Sequence, residues 1–312
     1  MLDLKYLPIS CSDPSTLFTL MEEEEKAWMN ELGWNYSPVR QILVSFIRQN
    51  LLPGYVAMQN NKAMGYTYFL MNQSKGIIGA IYVKTTDLSR EITNQLLSLT
   101  ISGLKDSPRI RRVEAQIMPF NDIDITDIFT TNGFRHYPRC YLSLNLNEEF
   151  RKPSSVSPVK IVRWDSSSIS RMADILLKSY LNQADAVICA DYRTASGCES
   201  YLRSILENPG CGVFMPEVSF MGLEEGDEPC GFIIGCRLSD GVGMIPQIAI
   251  HPSYQGKKLG NALMIKSMEQ FRRLGFRRIS LTVTPENEKA YEWYGRLGFK
   301  TEKNFDAFVW ER

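Results

Sequence analysis

The chain is poor in the residues that most metal and nucleophile chemistry is built from. It has only two histidines, His136 and His251, and its seven cysteines form no C-x-x-C pair. A zinc site needs several such ligands at short spacing, so no metal is expected. The odd cysteine count, in a chain too long to need disulfide staples, points to reduced thiols and a cytoplasmic protein. With two histidines to serve seven cysteines as base partners, a cysteine nucleophile is not expected. Net charge is also missing: 35 basic residues offset 35 acidic ones, so no bulk field draws nucleic acid or a membrane surface. The pairs Arg272-Arg273 and Arg277-Arg278 flank a helix end and read as solvated charges that complement its dipole. No run reaches transmembrane length, and the N-terminal MLDLKYLPIS lacks a signal-peptide pattern. Neither G-x-G-x-x-G nor a G-K-[ST] phosphate loop occurs at the glycine-bearing turn discussed next.

What the chain does contain is a strand–loop–helix at Gly243–Leu263, GMIPQIAIHPSYQGKKLGNAL. Ile245, Ile248 and Ile250 supply a β-branched run, and Pro252 ends it. From Asn261 onward, Leu263, Met264, Ser267, Met268 and Phe271 recur as one helix face. A glycine-containing turn that enters a helix aims several backbone N–H groups, and the positive end of the helix dipole, at one point. That is an anion site suited to phosphate, with Lys257 and Lys258 beside it.

Offset by 167 positions, the same stretch falls without gaps on Gly76–Leu96, GIIGAIYVKTTDLSREITNQL. Further matches follow in order, Pro285 and Asn287 with Pro119 and Asn121, and Gly298-Phe299 with Gly133-Phe134. A duplicated domain accounts for them. The expected domains are residues 1–148 and 159–312, joined by a charged, Pro- and Ser-rich linker at 149–158. In the first copy Gly256 becomes Ser89, Gly260 becomes Thr93 and Glu91 stands at Lys258, which crowds the turn and repels phosphate. Tyr294 becomes Phe129, which has no proton to give. The first copy is therefore read as the same fold without the site.

Downstream of the helix, Arg277–Val283 reads as a strand, followed by PENEKAYEWYGRLGF at residues 285–299. The Q-x-x-x-x-G turn after a strand, the N-x-x-A-x-x-x-Y spacing of Asn287 to Tyr294 and the closing Leu-Gly-Phe resemble the GNAT superfamily of acyl-CoA-dependent N-acyltransferases. The resemblance covers residues 243–299. It implies an α/β (α+β) fold of two tandem GNAT-like domains, each a mixed, mostly antiparallel twisted sheet flanked by helices. Tandem members such as mycothiol synthase pair an active C-terminal domain with a degenerate N-terminal one, although no substrate residue of that enzyme is matched here.

By the same resemblance, the backbone of Ile248, Ala249 and Ile250 pairs with the pantetheine arm of acetyl-CoA. Gln255, Gly256, Lys257, Lys258, Leu259, Gly260 and Asn261 cradle the pyrophosphate, and Asn287 bonds the pantetheine or its thioester end. Tyr294 is the acid that protonates the leaving thiolate. Many members carry a basic glutamate on the central strand, where this chain has Pro246 and Gln247. Gln247 thus holds a catalytic position, yet an amide cannot take a proton. Water, a backbone carbonyl, or a carboxylate such as Asp185, Asp191, Glu199 or Glu217 must do so. Lys258 stands where many members have glycine and is expected in a helical backbone conformation. The implied reaction transfers an acyl group, acetyl first, to an amine on a small molecule or a protein. The partners implied are an acyl-CoA and that amine, with no nucleic acid or membrane, in a monomer or homodimer. The rival reading is a non-catalytic acyl-CoA-binding or partner-binding module of the same fold.

Overall fold

The computed structural model of the protein describes residues 4–121, 123–148 and 159–312, so the expected linker at 149–158 lies outside the described residues. The chain divides into two compact units, one of residues up to 139 together with 304–312, the other of residues 140–303. These units do not coincide with contiguous domains of 1–148 and 159–312.

In the first unit β1 (Leu4–Pro8) precedes two helices, α1 (Pro14–Leu32) and α2 (Ser37–Arg48). There follow β2 (Gly54–Gln59), β3 (Lys62–Asn72), β4 (Lys75–Val83), α3 (Ser89–Lys105), β5 (Arg112–Ile117), α4 (Thr126–Thr131) and β6 (Arg135–Asn145). Local chemistry sets the helix ends. At the start of α1, Asp13 accepts the Ser15 N–H at 2.9 Å and Pro14 takes a position that needs no donor. Gly33, left-handed at φ +65°, closes it. The sheet runs β1-β2-β3-β4-β5, antiparallel except for the parallel β4–β5 pair. Residues 306–311 complete it on the far side of β5. Helix α3 packs Ile92, Leu96, Leu97, Ile101 and Leu104 into the core, the i, i+4 stripe of an amphipathic helix.

The second unit contains β7 (Lys160–Arg163), α5 (Ile169–Tyr180), α6 (Ala184–Ile188), α7 (Ala195–Glu207), β8 (Val213–Phe214) and β9 (Phe220–Leu223). It continues through β10 (Pro229–Ser239), β11 (Val242–Ile250), α8 (Leu259–Arg273), β12 (Arg278–Val283) and α9 (Glu288–Leu297), and the chain closes with β13 (Lys300–Glu311). Here residues 140–145 of β6 lie beside β12, followed by β11, β10, β9 and β7, with β8 also on β10. Each unit's sheet is thus completed by a strand that chain order would have given to the other. Side chains alternate across β10: Ile233 joins the core under α8 and α9, while Phe232 and Ile234 join the core under α5 and α7.

One irregularity opens the second unit. β11 pairs in parallel with β12 only from Val242 to Met244. Beyond that Pro246 has no N–H to give, and Ile245 and Pro246 together stand opposite Gly235 alone on β10, a bulge. The strand bends there and its later residues leave β12, which frees an edge. The first unit is bulged at the matching position, where Gly79 interrupts the β3–β4 register. No helix among the described residues is long and apolar enough to cross a membrane.

Candidate active site

Where β11 parts from β12, a cleft of about 560 Å³ opens, walled by α5, the β11 edge, the turn into α8, and α9. Of the residues singled out above, Ile248, Ala249, Ile250, Gln255, Gly256, Lys258, Leu259, Gly260, Asn261, Asn287 and Tyr294 line it; Lys257 and Gln247 do not.

The strand edge faces inward. The His251 N–H bonds the Cys230 carbonyl on β10 at 2.9 Å, so by alternation Ile250 and Ile248 turn their backbone groups the other way, toward the cleft. Side chains already meet those carbonyls. Ser179 Oγ and Gln255 Nε2 donate to Ile250 O at 2.8 and 3.2 Å, and Gln247 Nε2 donates to Ile248 O at 3.2 Å.

The turn then delivers bare donors. No side chain caps α8, so the N–H groups of Leu259, Gly260 and Asn261 have no acceptor within the helix. Gly256 sits at φ +74° in open space. Lys258 also is left-handed, at φ +67°, which corrects the helical conformation expected for it. A non-glycine residue there stores strain of about 1–2 kcal/mol, and the bend lets α8 begin at Leu259, two residues earlier than its apolar stripe implied. At Gly260 an added Cβ would meet Ile250 and Trp293 at only 3.6 to 3.8 Å, so its bareness provides room on the cleft side and relieves no clash. Lys257 lays its ammonium over the Tyr254 ring at 5.0 Å.

Two asparagines carry structural duties as well. Asn261 Oδ1 accepts the Trp293 indole N–H, and Asn287 Oδ1 caps α9 by accepting the Ala290 N–H at 3.3 Å. That cap is worth about 1 kcal/mol and fixes the helix that carries Tyr294. Tyr294 is buried in the cleft wall, and its hydroxyl makes no hydrogen bond among the described residues. Burial, with Tyr180 and Asp185 adding to it, holds its phenol well above the ordinary tyrosine range. It therefore stays protonated.

Gln247 lies behind this wall, 3% exposed, bonded to Tyr180 and Tyr192. Of the four carboxylates considered as proton acceptors, Asp185 is buried on α6, receives the Thr284 hydroxyl at 3.0 Å and is felt by Tyr294. Glu199 sits on the outer face of α7 with Arg203 and Ser170, and Glu217 borders a separate groove beside Arg163 and Lys266. Asp191 lies in the turn after α6, beside Cys189. Sequence reasoning missed Ser179 as a site residue; its only signal was position at the end of a helix preceding the acceptor segment.

The arrangement offers an anion cradle at one end, an extended backbone edge along one side and a buried phenol near the other end. Residues 188–299 match the family described as Acetyltransferase (GNAT) family. Over 112 residues, 36% of this chain, the sequence is 28% identical to an uncharacterized N-acetyltransferase of Methanocaldococcus jannaschii, and the match spans about half (49%) of that relative's length. Among solved structures, a GCN5-related N-acetyltransferase from Sphaerobacter thermophilus superposes with a TM-score of 0.70 at 13% identity, covering 99% of this chain and 95% of the other. A tandem GNAT protein from the clavulanic acid biosynthesis pathway gives 0.66 at 14% identity, covering 99% and 98%. Residues 188–299 thus carry the match to the GNAT acetyltransferase family, and the chain as a whole shares its fold with solved GNAT structures, a tandem one among them.

Proposed function

We propose that the second unit is an acyl-CoA-dependent N-acyltransferase that takes acetyl-CoA as donor and an amine as acceptor, and that the first unit is structural. The observation that carries the reading is convergence in one cleft: an uncapped helix N-terminus, a strand edge that has parted from β12 and a protonated, otherwise unengaged phenol. These fit the three parts of an acyl-CoA. The pyrophosphate would meet the N–H groups of residues 259–261 with Lys258 beside them. The pantetheine amides would pair with Ile248 and Ile250 as an added strand pairs with an edge. The thioester would then lie by Tyr294.

In the proposed reaction a neutral amine attacks the thioester carbon, the C–N bond forms and the C–S bond breaks. The departing thiolate takes the Tyr294 proton, and the amine's surplus proton leaves through water or Asp185. An aliphatic amine has a pKa of about 10, so some group must remove its proton before attack, and the buried Gln247 amide has no capacity to do so. That same observation favours a second reading, an acyl-CoA-binding module without turnover.

Calorimetry with acetyl-CoA on the intact chain, beside Gly256→Glu, is the test. One site, weakened about 100-fold or more by a carboxylate set in the anion cradle, supports the reading. Two sites would overturn the structural role of the first unit, and no binding would overturn the whole. Release of free CoA thiol across a panel of amines then separates enzyme from binding module.

A further inference from the structure

The turn that enters α8 is fastened from outside itself. Gln255 at φ −64°, ψ 147° and Gly256 at φ +74° make residues 254–257 a type II turn, closed by the Lys257 N–H on the Tyr254 carbonyl at 3.3 Å. Lys258 follows, left-handed at φ +67°. A lysine keeps such a backbone only where its surroundings over-determine it. Tyr254 supplies the anchor. Its hydroxyl donates to the Glu224 carboxylate, and its ring packs on the core under α8. The Lys257 ammonium lies 5.0 Å over the same ring, so the two ends of the turn are stapled across Gly256. The bond to Glu224 pushes the Tyr254 phenol up to about 12, which keeps it a donor. Glu224 is itself fixed in the loop between β9 and β10, where its N–H bonds the Glu228 carbonyl at 2.9 Å and its carbonyl receives the Asp227 N–H at 3.1 Å.

The tether takes up no backbone donor. The N–H groups of Gly256 and Lys258 have no acceptor among the described residues, and those of Leu259, Gly260 and Asn261 add to them. The first unit fastens its matching turn from within. Asp87 falls at Tyr254 in the 167-residue register, and Ser89 takes up the Thr86 N–H at 2.6 Å.

We propose that Tyr254 and Glu224 are positioning residues for the acyl donor, whose bond holds the turn so that its free N–H groups meet the pyrophosphate. The inference rests on the acyl-CoA reading of the cleft. Tyr254 lines that cleft and Glu224 does not, so the carboxylate acts through the phenol. The tether serves the phosphate end alone, because β11 is held by β10 and Tyr294 is carried by α9. Without it Lys258 is free to leave a conformation that a non-glycine residue disfavours, and the donors no longer converge. The negative charge of Glu224 works against phosphate, so its geometry and its charge act in opposite directions.

The test compares two donors on the full chain: acetyl-CoA, and S-acetylpantetheine, which has the thioester and the arm but no phosphate. Acetyl-CoA is measured by calorimetry and S-acetylpantetheine by competition with it. Tyr254→Phe is expected to weaken acetyl-CoA about 10-fold and to leave S-acetylpantetheine within about 2-fold. Glu224→Gln keeps an acceptor for the phenol without the charge, and is expected to bind acetyl-CoA about 10-fold more tightly than Glu224→Ala, which has no acceptor. The double variant Tyr254→Phe/Glu224→Ala is expected to bind no more weakly than Tyr254→Phe alone. Acetyl-CoA affinity in Tyr254→Phe within 2-fold of the parent overturns the inference and leaves the acyl-CoA reading intact. So does an equal loss for both donors, which marks general destabilisation, or equal affinity in Glu224→Gln and Glu224→Ala. Absence of acetyl-CoA binding to the parent overturns both.

Discussion

The two units carry the same cleft in two states. In the second it measures about 560 Å³; in the first, at the place bounded by Ile81–Val83, Thr93 and Asn121, about 20 Å³ remains, room for little more than a water molecule. These are the residues that match Ile248–Ile250, Gly260 and Asn287. More than one substitution separates the two. Its turn is sewn shut by Ser89, whose Oγ accepts the Thr86 N–H at 2.6 Å and donates to the Lys84 carbonyl at 2.8 Å. Glu91 places a negative charge in the first turn of α3. Phe120 fills the space, packed edge-on against Trp28 at 4.9 Å, and Phe129, at the position of the phenol, is stacked on Phe308 at 4.0 Å. Copies of one fold thus differ in what the bulged strand is left facing: apolar side chains in one, an unfilled edge in the other. The strand bulge itself, at Gly79 and Pro246, survives in both.

The comparison can be broken from either side. Tyr294→Phe gives the second unit the residue of the first; kcat is expected to fall about 100-fold with acetyl-CoA affinity unchanged, checked by steady-state kinetics and calorimetry. A rate within 2-fold would remove the named acid. Gly260→Thr imports Thr93, and because an added Cβ meets only ordinary contacts, acetyl-CoA affinity is expected to drop about 10-fold with no loss of melting temperature. The mirror change, Thr93→Gly, is expected to leave calorimetric stoichiometry at one, since Phe120 and Ser89 remain. The smallest effect concerns stability. Glu24 is fully buried in the first unit, held by the Tyr66 hydroxyl and by the Trp28 indole N–H at 3.2 Å, and burial raises its pKa. Because the folded value lies above the unfolded one, its contribution is intact below about pH 4.5 and is lost as pH rises through the folded value. Glu24→Gln keeps its carbonyl oxygen for the Trp28 indole N–H and turns its amide N–H toward the Tyr66 oxygen, which can accept, and it is expected to stabilise the protein by roughly 1 kcal/mol at pH 8 and by less at pH 4.5, measured by denaturant melts.

The parts of the cleft lining that were legible in the sequence are local: the turn from Gln255 to Asn261 and the Asn287–Tyr294 spacing each lie within one strand–helix passage. The left-handed Lys258 was not legible, since a lysine carries no local preference for that backbone and the cleft geometry imposes it. The bonded group of Tyr180, Gln247 and Tyr192 was out of reach because its bonds join residues 67 and 55 positions apart. The short α6 and the edge strand β1 were unforeseen, each five residues long and too brief to show a period. Strand partnership was hidden for a different reason. Residues 140–145 and 306–311 are both half-apolar strands that follow a helix, and nothing in their own pattern says which sheet edge each will join.

That partnership bears on how the molecule can be made and inherited. During synthesis the first unit must hold the outer edge of β5 open until residues 304–312 emerge, and an unpaired edge is the surface on which nascent chains stick to one another. A gene broken between the copies would yield two fragments, each one strand short. Neither half of the chain can therefore be discarded without leaving the other's sheet one strand short.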